Sequence, residues 1–315
     1  MERNHLPIGV FDSGVGGLTV AREIFRNLPN EKIIYYGDTA RVPYGNKSAD
    51  TIKRYSRQIT RFLLSKNVKA IVIACNTASA LALDAVREMT DIPVIGVVEP
   101  GARAAVSATS SGRIGIIGTS ATITSGLYDR YIHEMMPSAQ VFGKACPLFV
   151  HLVEEGMLDD SVTVEMIHRY LDDLIKTDNI DTLILGCTHY PLLRSVIARE
   201  IGGVFSGYAK ELPDADSAGA ADGSAASGAA AAEGAADGIA AAEGAGKITL
   251  VNPAYTTAME LSRVLKDYGL ASETPVSFSD HQFYVSDGPD NFRAFASEIL
   301  ELTIDDVSLM LTDQL

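Results

Sequence analysis

Cysteine is scarce in this sequence, with three residues in 315. None of Cys75, Cys146 and Cys187 falls in a CxxC pair or a zinc-type spacing, so no structural metal centre is expected. The odd, sparse count also argues against a disulfide framework. Positive charge is short as well: 26 Lys and Arg face 40 Asp and Glu, for a net charge of −14. That leaves no basic stripe to neutralise phosphates, and no nucleic-acid partner is expected. Long apolar runs are missing too. No stretch approaches the length of a membrane span, and the opening "MERNHLPIGV" lacks the apolar core of a signal peptide. The expectation is a cytoplasmic protein that does not associate with membranes.

What is present is a repeated alternation of short β-branched runs with helical periodicity. "LPIGVFDSG" reads as a strand and turn, "GLTVAREIFRNLP" as a helix closed by Pro29, and "EKIIYYGDT" as the next strand. "SADTIKRYSRQITRFLLSKN" places Ile52, Tyr55, Ile59, Phe62 and Leu63 on one helical face. "VKAIVIAC" follows as a buried strand. This is the βαβ pattern of a parallel sheet with helices on both faces. The pattern then restarts: "GRIGIIGTSAT" at 112–122 mirrors "LPIGVFDSGVG" at 6–16, and "TLILGCTHYP" at 182–191 mirrors "AIVIACNTAS" at 70–79. The expected fold is therefore α/β, with two similar parallel-sheet domains related by a pseudo-two-fold axis and a cleft between them. Residues 1–98 and 247–315 are expected to form the first domain, and 99–205 the second. Between them, 206–246 is Ala/Gly-rich and acidic, with Lys210 its one cation. Such composition buries too little apolar area to offset its ordering entropy, and it reads as a disordered insertion.

The two mirrored strands each end in a cysteine, Cys75 and Cys187, followed by polar hydrogen-bonding residues. Ligands of open parallel sheets sit beyond the carboxyl ends of the strands, which is where both thiols stand. Each also precedes a helix start or polar loop, whose free N–H groups are expected to lower a thiol's pKa. Moving an ordinary thiol to about 7 takes roughly 2 kcal/mol of preferential thiolate stabilisation. Asn76, Thr77, Thr188 and His189 supply further donors. A thiolate on one side of a cleft and a thiol on the other can take a proton from a carbon centre and return one to its opposite face. No cofactor is expected. The G-x-G-x-x-G spacing from Gly14 fails at Thr19, and nothing marks a metal cluster or a Schiff-base lysine. "FDSGVGG" and "YGDTARVPYG" are further polar loops following strands.

"IGVFDSGVGGLTV", "YGDTARVPYG", "ACNTASA", "GVVEPGARAAV" and "LGCTHYPLL" together resemble bacterial glutamate racemase, in order and across the chain except 206–246. The resemblance implies a cofactor-independent, two-base racemisation of L-glutamate to D-glutamate, for peptidoglycan. It implies Cys75 as base for the D-enantiomer and Cys187 as base for the L-enantiomer. Asp12, Ser13, Tyr44, Gly45, Asn76, Thr77, Thr188 and His189 would contact substrate. Asp12 would lie near Cys75, His189 would assist Cys187, and Asp38 and Glu154 would support. Family members are commonly homodimers. Two departures stand out: the insertion, and "LVNPAYTTA" at 250–258 in place of a "DSG"-like turn. Other readings stay open: a racemase acting on aspartate or a hydantoin, a redox protein working through a Cys75–Cys187 disulfide, or a partner-binding, gyrase-inhibiting role for the acidic insertion.

Overall fold

The computed structural model describes residues 3–206, 247–301 and 303–315. The strands in chain order are β1 (Ile8–Asp12), β2 (Ile33–Gly37), β3 (Ala70–Ile73), β4 (Val94–Gly96), β5 (Arg113–Gly118), β6 (Gln140–Ala145), β7 (Thr182–Gly186), β8 (Gly203–Ser206), β9 (Ile248–Val251), β10 (Gln282–Val285) and β11 (Ser308–Leu309). They form two wholly parallel sheets, ordered β11-β10-β2-β1-β3-β4 and β6-β5-β7-β9-β8. The central triplets β2-β1-β3 and β6-β5-β7 repeat one another, as the mirrored segments require.

Near-continuous apolar runs are needed because each sheet is covered on both faces. Successive side chains alternate between those faces. Ile8, Val10, Ile33, Tyr35, Ala70 and Val72 point into one core layer, while Phe11, Ile34, Tyr36, Ile71 and Ile73 point into the other. The second sheet repeats this, with Ile117, Leu183, Leu185 and Leu250 on one side and Ile114, Ile116, Ile184 and Val251 on the other.

The covering helices are α1 (Leu18–Asn27), α2 (Ala49–Ser65), α3 (Asn76–Arg87), α4 (Val98–Ala108), α5 (Ser120–Thr124), α6 (Leu127–Met135), α7 (Leu148–Glu154), α8 (Ser161–Lys176), α9 (Arg194–Ile201), α10 (Pro253–Asp267) and α11 (Pro289–Leu300). Ser48 caps α2, and Ile52, Ile59, Phe62 and Leu63 are its buried face. Tyr55, expected on that face, is half-buried, with the Arg41 guanidinium 4.0 Å above its ring. No described helix is long and apolar enough to cross a membrane.

One boundary differs from expectation. Residues 247–315 were expected wholly in the first domain, but β9 pairs between β7 and β8 in the second sheet. A four-residue apolar run carries no mark of which of two equivalent sheets it will join. The chain crosses back only after Val251: Asn252 caps α10, whose Ala254, Ala258, Leu261 and Leu265 pack on the first sheet. The 250–258 departure is thus a strand end and a capped helix start. The insertion, from 207 onward, lies outside the described residues.

Candidate active site

The carboxyl ends of both sheets face each other, and the functional side chains gather there. Asp12 ends β1, and Ser13 follows it. Cys75 stands two residues past β3 as the cap of α3, its Sγ accepting from the Ala78 N–H at 3.5 Å. Ser13 Oγ lies 3.7 Å from the same sulfur. From the second sheet, Cys187 directly follows β7, with Thr188 and His189 behind it. The His189 ring is held between two groups: Nδ1 lies 3.8 Å from Cys187 Sγ, and Nε2 lies 3.2 Å from Glu154 Oε1.

Ser13, Tyr44, Gly45, Cys75, Asn76, Thr77, Glu154, Cys187, Thr188 and His189 line one cavity between the two sheets. Its volume is about 20 Å³, space for a water molecule and far short of an amino acid, so the cleft is closed and must open to admit a substrate. The approach is close at two glycines. A Cβ on Gly16 would stand 2.4 Å from Thr188 Oγ1, and one on Gly45 would stand 2.6 Å from Thr119 Cβ.

Asp12 and Asp38 are fully buried behind the lining. Asp12 Oδ2 accepts from the Gly14 N–H at 3.0 Å, whereas its Oδ1 has no hydrogen-bond partner among the described residues. Asp38 ties the loop after β2 together. It accepts from Tyr44, from Arg41 Nε at 2.6 Å and from Ser286 Oγ at 3.0 Å, so it positions the tyrosine that lines the cavity.

Thr119, Val42 and Val150 also line the cavity and were not singled out in the sequence, and Pro43 of the "YGDTARVPYG" loop joins them. Thr119 Oγ1 bonds Thr77 Oγ1 at 2.9 Å and Thr122 Oγ1 at 3.0 Å, linking the two halves through hydroxyls. The internal repeat carried a signal for it: with "GRIGIIGT" laid on "LPIGVFDS", Thr119 falls on Ser13. Val42, like Pro43, lies inside the "YGDTARVPYG" loop, whereas Val150 carried no signal.

The expected lowering of the thiol pKa is overturned at Cys75. Burial, then the nearby Asp12 charge, pushes this thiol up to about 12, against the pull of the Ala78 N–H and Ser13. The helix terminus acts in the expected direction but loses to desolvation. Burial likewise raises Asp12, opposed by His189 and three backbone N–H groups. At His189 the balance of causes reverses. Burial disfavours its cation, yet the Cys187 sulfur, Glu154 and Asp12 outweigh this and bring it to about 10. Against the push of burial, His189 holds Glu154 below its ordinary value. The cleft is therefore electrostatically lopsided, with a neutral thiol at Cys75 and an imidazolium beside Cys187. All three cysteines are free. Among the described residues, no group of three or more His, Cys, Asp and Glu side chains could hold a metal ion.

Residues 8–209 match the Asp/Glu/hydantoin racemase family. A glutamate racemase of Streptococcus equi subsp. equi is 40% identical over 299 residues, covering 95% of this chain and 96% of that protein. Among solved structures, a glutamate racemase from Bacillus anthracis superposes with a TM-score of 0.80 at 37% identity, covering 98% of both chains. The glutamate racemase of Francisella tularensis, in complex with D-glutamate, gives a TM-score of 0.79 at 32% identity, covering 99% of this chain and 100% of that one.

Proposed function

The chain belongs to the Asp/Glu/hydantoin racemase family, among its glutamate racemases, and we propose that it interconverts the enantiomers of glutamate through Cys75 and Cys187. The observation that carries this reading is one free cysteine from each sheet in the lining of a single closed cleft. Starting from L-glutamate, the sulfur of Cys187, as thiolate beside the His189 cation, takes the α-proton. Cys75, a neutral thiol, delivers its proton to the opposite face of the same carbon. The net result is inversion, with each sulfur ending in the other's protonation state. From D-glutamate the roles exchange, as microscopic reversibility demands.

The α-proton of an amino acid is a far weaker acid than a thiol, so two bases alone are insufficient. Charge growing on the α-carboxylate needs preorganised donors, and Ser13, Asn76, Thr77, Thr119 and Thr188 surround the cavity with hydroxyls and an amide. Holding both sulfurs against one carbon supplies further rate. Closure to a volume that excludes bulk water protects the carbanionic species.

The test is incubation with L-glutamate in D₂O without added cofactor. Circular dichroism follows rotation, NMR follows the α-proton, and Cys75→Ala and Cys187→Ala run beside the wild type. Loss of rotation with solvent deuterium entering at Cα, abolished in both variants, is the expected outcome. Folded, reduced wild type that exchanges neither enantiomer of glutamate would sink the assignment, and the same assay on aspartate and a hydantoin separates the relatives. We further assign the product to peptidoglycan synthesis in the cytoplasm, testable by rescue of a strain that requires D-glutamate. A homodimer is expected on light scattering.

A further inference from the structure

We propose that Tyr128 is a positioning residue, whose phenol reaches across the interface between the two halves and fixes the amide of Asn76 with its NH₂ end toward the cleft. The inference rests on the proposed racemase function. Tyr128 belongs to α6 of the second half, while Asn76 is the first residue of α3 in the first half. The Tyr128 hydroxyl donates to Asn76 Oδ1 at 2.8 Å. Both side chains are almost wholly buried, but only Asn76 lines the cavity. Tyr128 is not part of the lining and acts through its neighbour.

The seat of the phenol is built for it. A Cβ on Gly101 would come within 3.2 Å of the Tyr128 hydroxyl oxygen, and one on Gly186 within 3.3 Å of the ring. Gly186 is also the residue immediately before Cys187. Two backbones thus approach closely enough to hold the ring in one place. Burial raises the Tyr128 pKa, which keeps the hydroxyl protonated and able to donate.

The consequence lies at the other end of the amide. With Oδ1 occupied by the phenol of a residue outside the lining, Asn76 Nδ2 is the end left to the cleft, and no hydrogen bond among the described residues takes its two hydrogens. A free amide would choose between two orientations that differ little in shape, and one of them presents an acceptor to an anionic substrate. The α3 N-terminus, where Asn76 sits, already points free N–H groups outward, so a donor here reinforces the anion site and an acceptor opposes it.

The experiment compares wild type, Tyr128→Phe, Asn76→Ala and the double variant of the full chain, with kcat and KM measured in both directions by circular dichroism. Phenylalanine keeps the ring and its packing while removing the hydroxyl. The expected result for Tyr128→Phe is a roughly tenfold rise in KM with kcat changed less than about threefold, the size of one neutral hydrogen bond plus a loosened amide. In the Asn76→Ala background, losing the hydroxyl should change KM by less than about twofold, because the orientation it fixed is gone. Asn76→Asp keeps an acceptor for the phenol but turns an oxygen toward the substrate, and it should lose at least as much as Asn76→Ala. Unchanged KM in Tyr128→Phe, independent multiplication of the two single effects, or wild-type KM in Asn76→Asp would each overturn the role. Wild type that is inert on glutamate would instead overturn the function itself, and the inference with it.

Discussion

Gly16→Ala is a sharp test of how the cleft closes. The added methyl would stand 2.4 Å from Thr188 Oγ1 and 2.7 Å from His189 Nδ1, both across the cleft. Gly16 does not have the left-handed backbone that alanine avoids, so the substitution strains nothing locally. Restoring an ordinary 3.4 Å contact moves the facing groups by about 0.7 to 1 Å. The Thr188 hydroxyl can rotate away. The His189 ring cannot, because Cys187 lies 3.8 Å from one nitrogen and Glu154 3.2 Å from the other. The two halves must instead stay apart.

Misplacing a catalytic group by about 1 Å costs about 100-fold in rate, and that is the expected fall in kcat/KM. The loss must be equal in both directions, since the enantiomers have the same free energy. Stability should barely change, with Tm within about 3 °C of wild type, because opening the cleft relieves the clash without exposing either core. Circular dichroism kinetics and thermal melts measure both quantities. Wild-type kcat/KM would refute the closed geometry. A large drop in Tm would show that the clash cannot be relieved by opening, and that the halves are locked rather than hinged.

Two further outcomes concern the scaffold. Lys69 is buried, ion-paired to Glu31 at 2.5 Å and bonded to the Leu270 carbonyl at 2.8 Å. Lys69→Met leaves Glu31 uncompensated and should cost about 3–5 kcal/mol in urea unfolding. Adding Glu31→Gln should recover part of it, and kcat should hold, because Lys69 precedes β3 while Cys75 follows it. His281 accepts from the Ile33 N–H through Nδ1 at 3.1 Å and packs on Phe25. Burial pushes it down to about 4. The unfolded chain therefore binds a proton on His281 that the folded chain refuses between pH 6.5 and about 4. This contribution to stability is intact above 6.5 and lost as the pH falls through that window. Wild type should lose more stability than His281→Asn on going from pH 7.5 to 5; parallel losses would contradict the assignment.

Why some of the site could be read from the sequence and some could not has a physical basis. A strand buried on both faces must be apolar along its length, so the residue where that run stops marks the sheet end at which ligands bind. Asp12, Cys75 and Cys187 each stand at such a stop, and their meeting follows from the repeat. Glu154 stands at the end of a helix; the family resemblance named it only as a supporting residue, and the fold is what sets it beside His189. Val150 is an ordinary apolar residue, and only tertiary packing makes it a cavity wall. Sheet membership failed at β9 for the same reason: a short apolar strand is equally at home in either half. The protonation state of Cys75 was misread because a helix terminus is local and visible in sequence, while desolvation depends on everything packed around the sulfur. That failure has chemical content. A thiol held neutral in the closed cleft can donate a proton from one side, and an imidazolium stands beside the sulfur on the other. On the proposed two-thiol mechanism, these surroundings give the cysteines that end the mirrored strands opposite roles, as adding a proton on one face and removing one from the other requires.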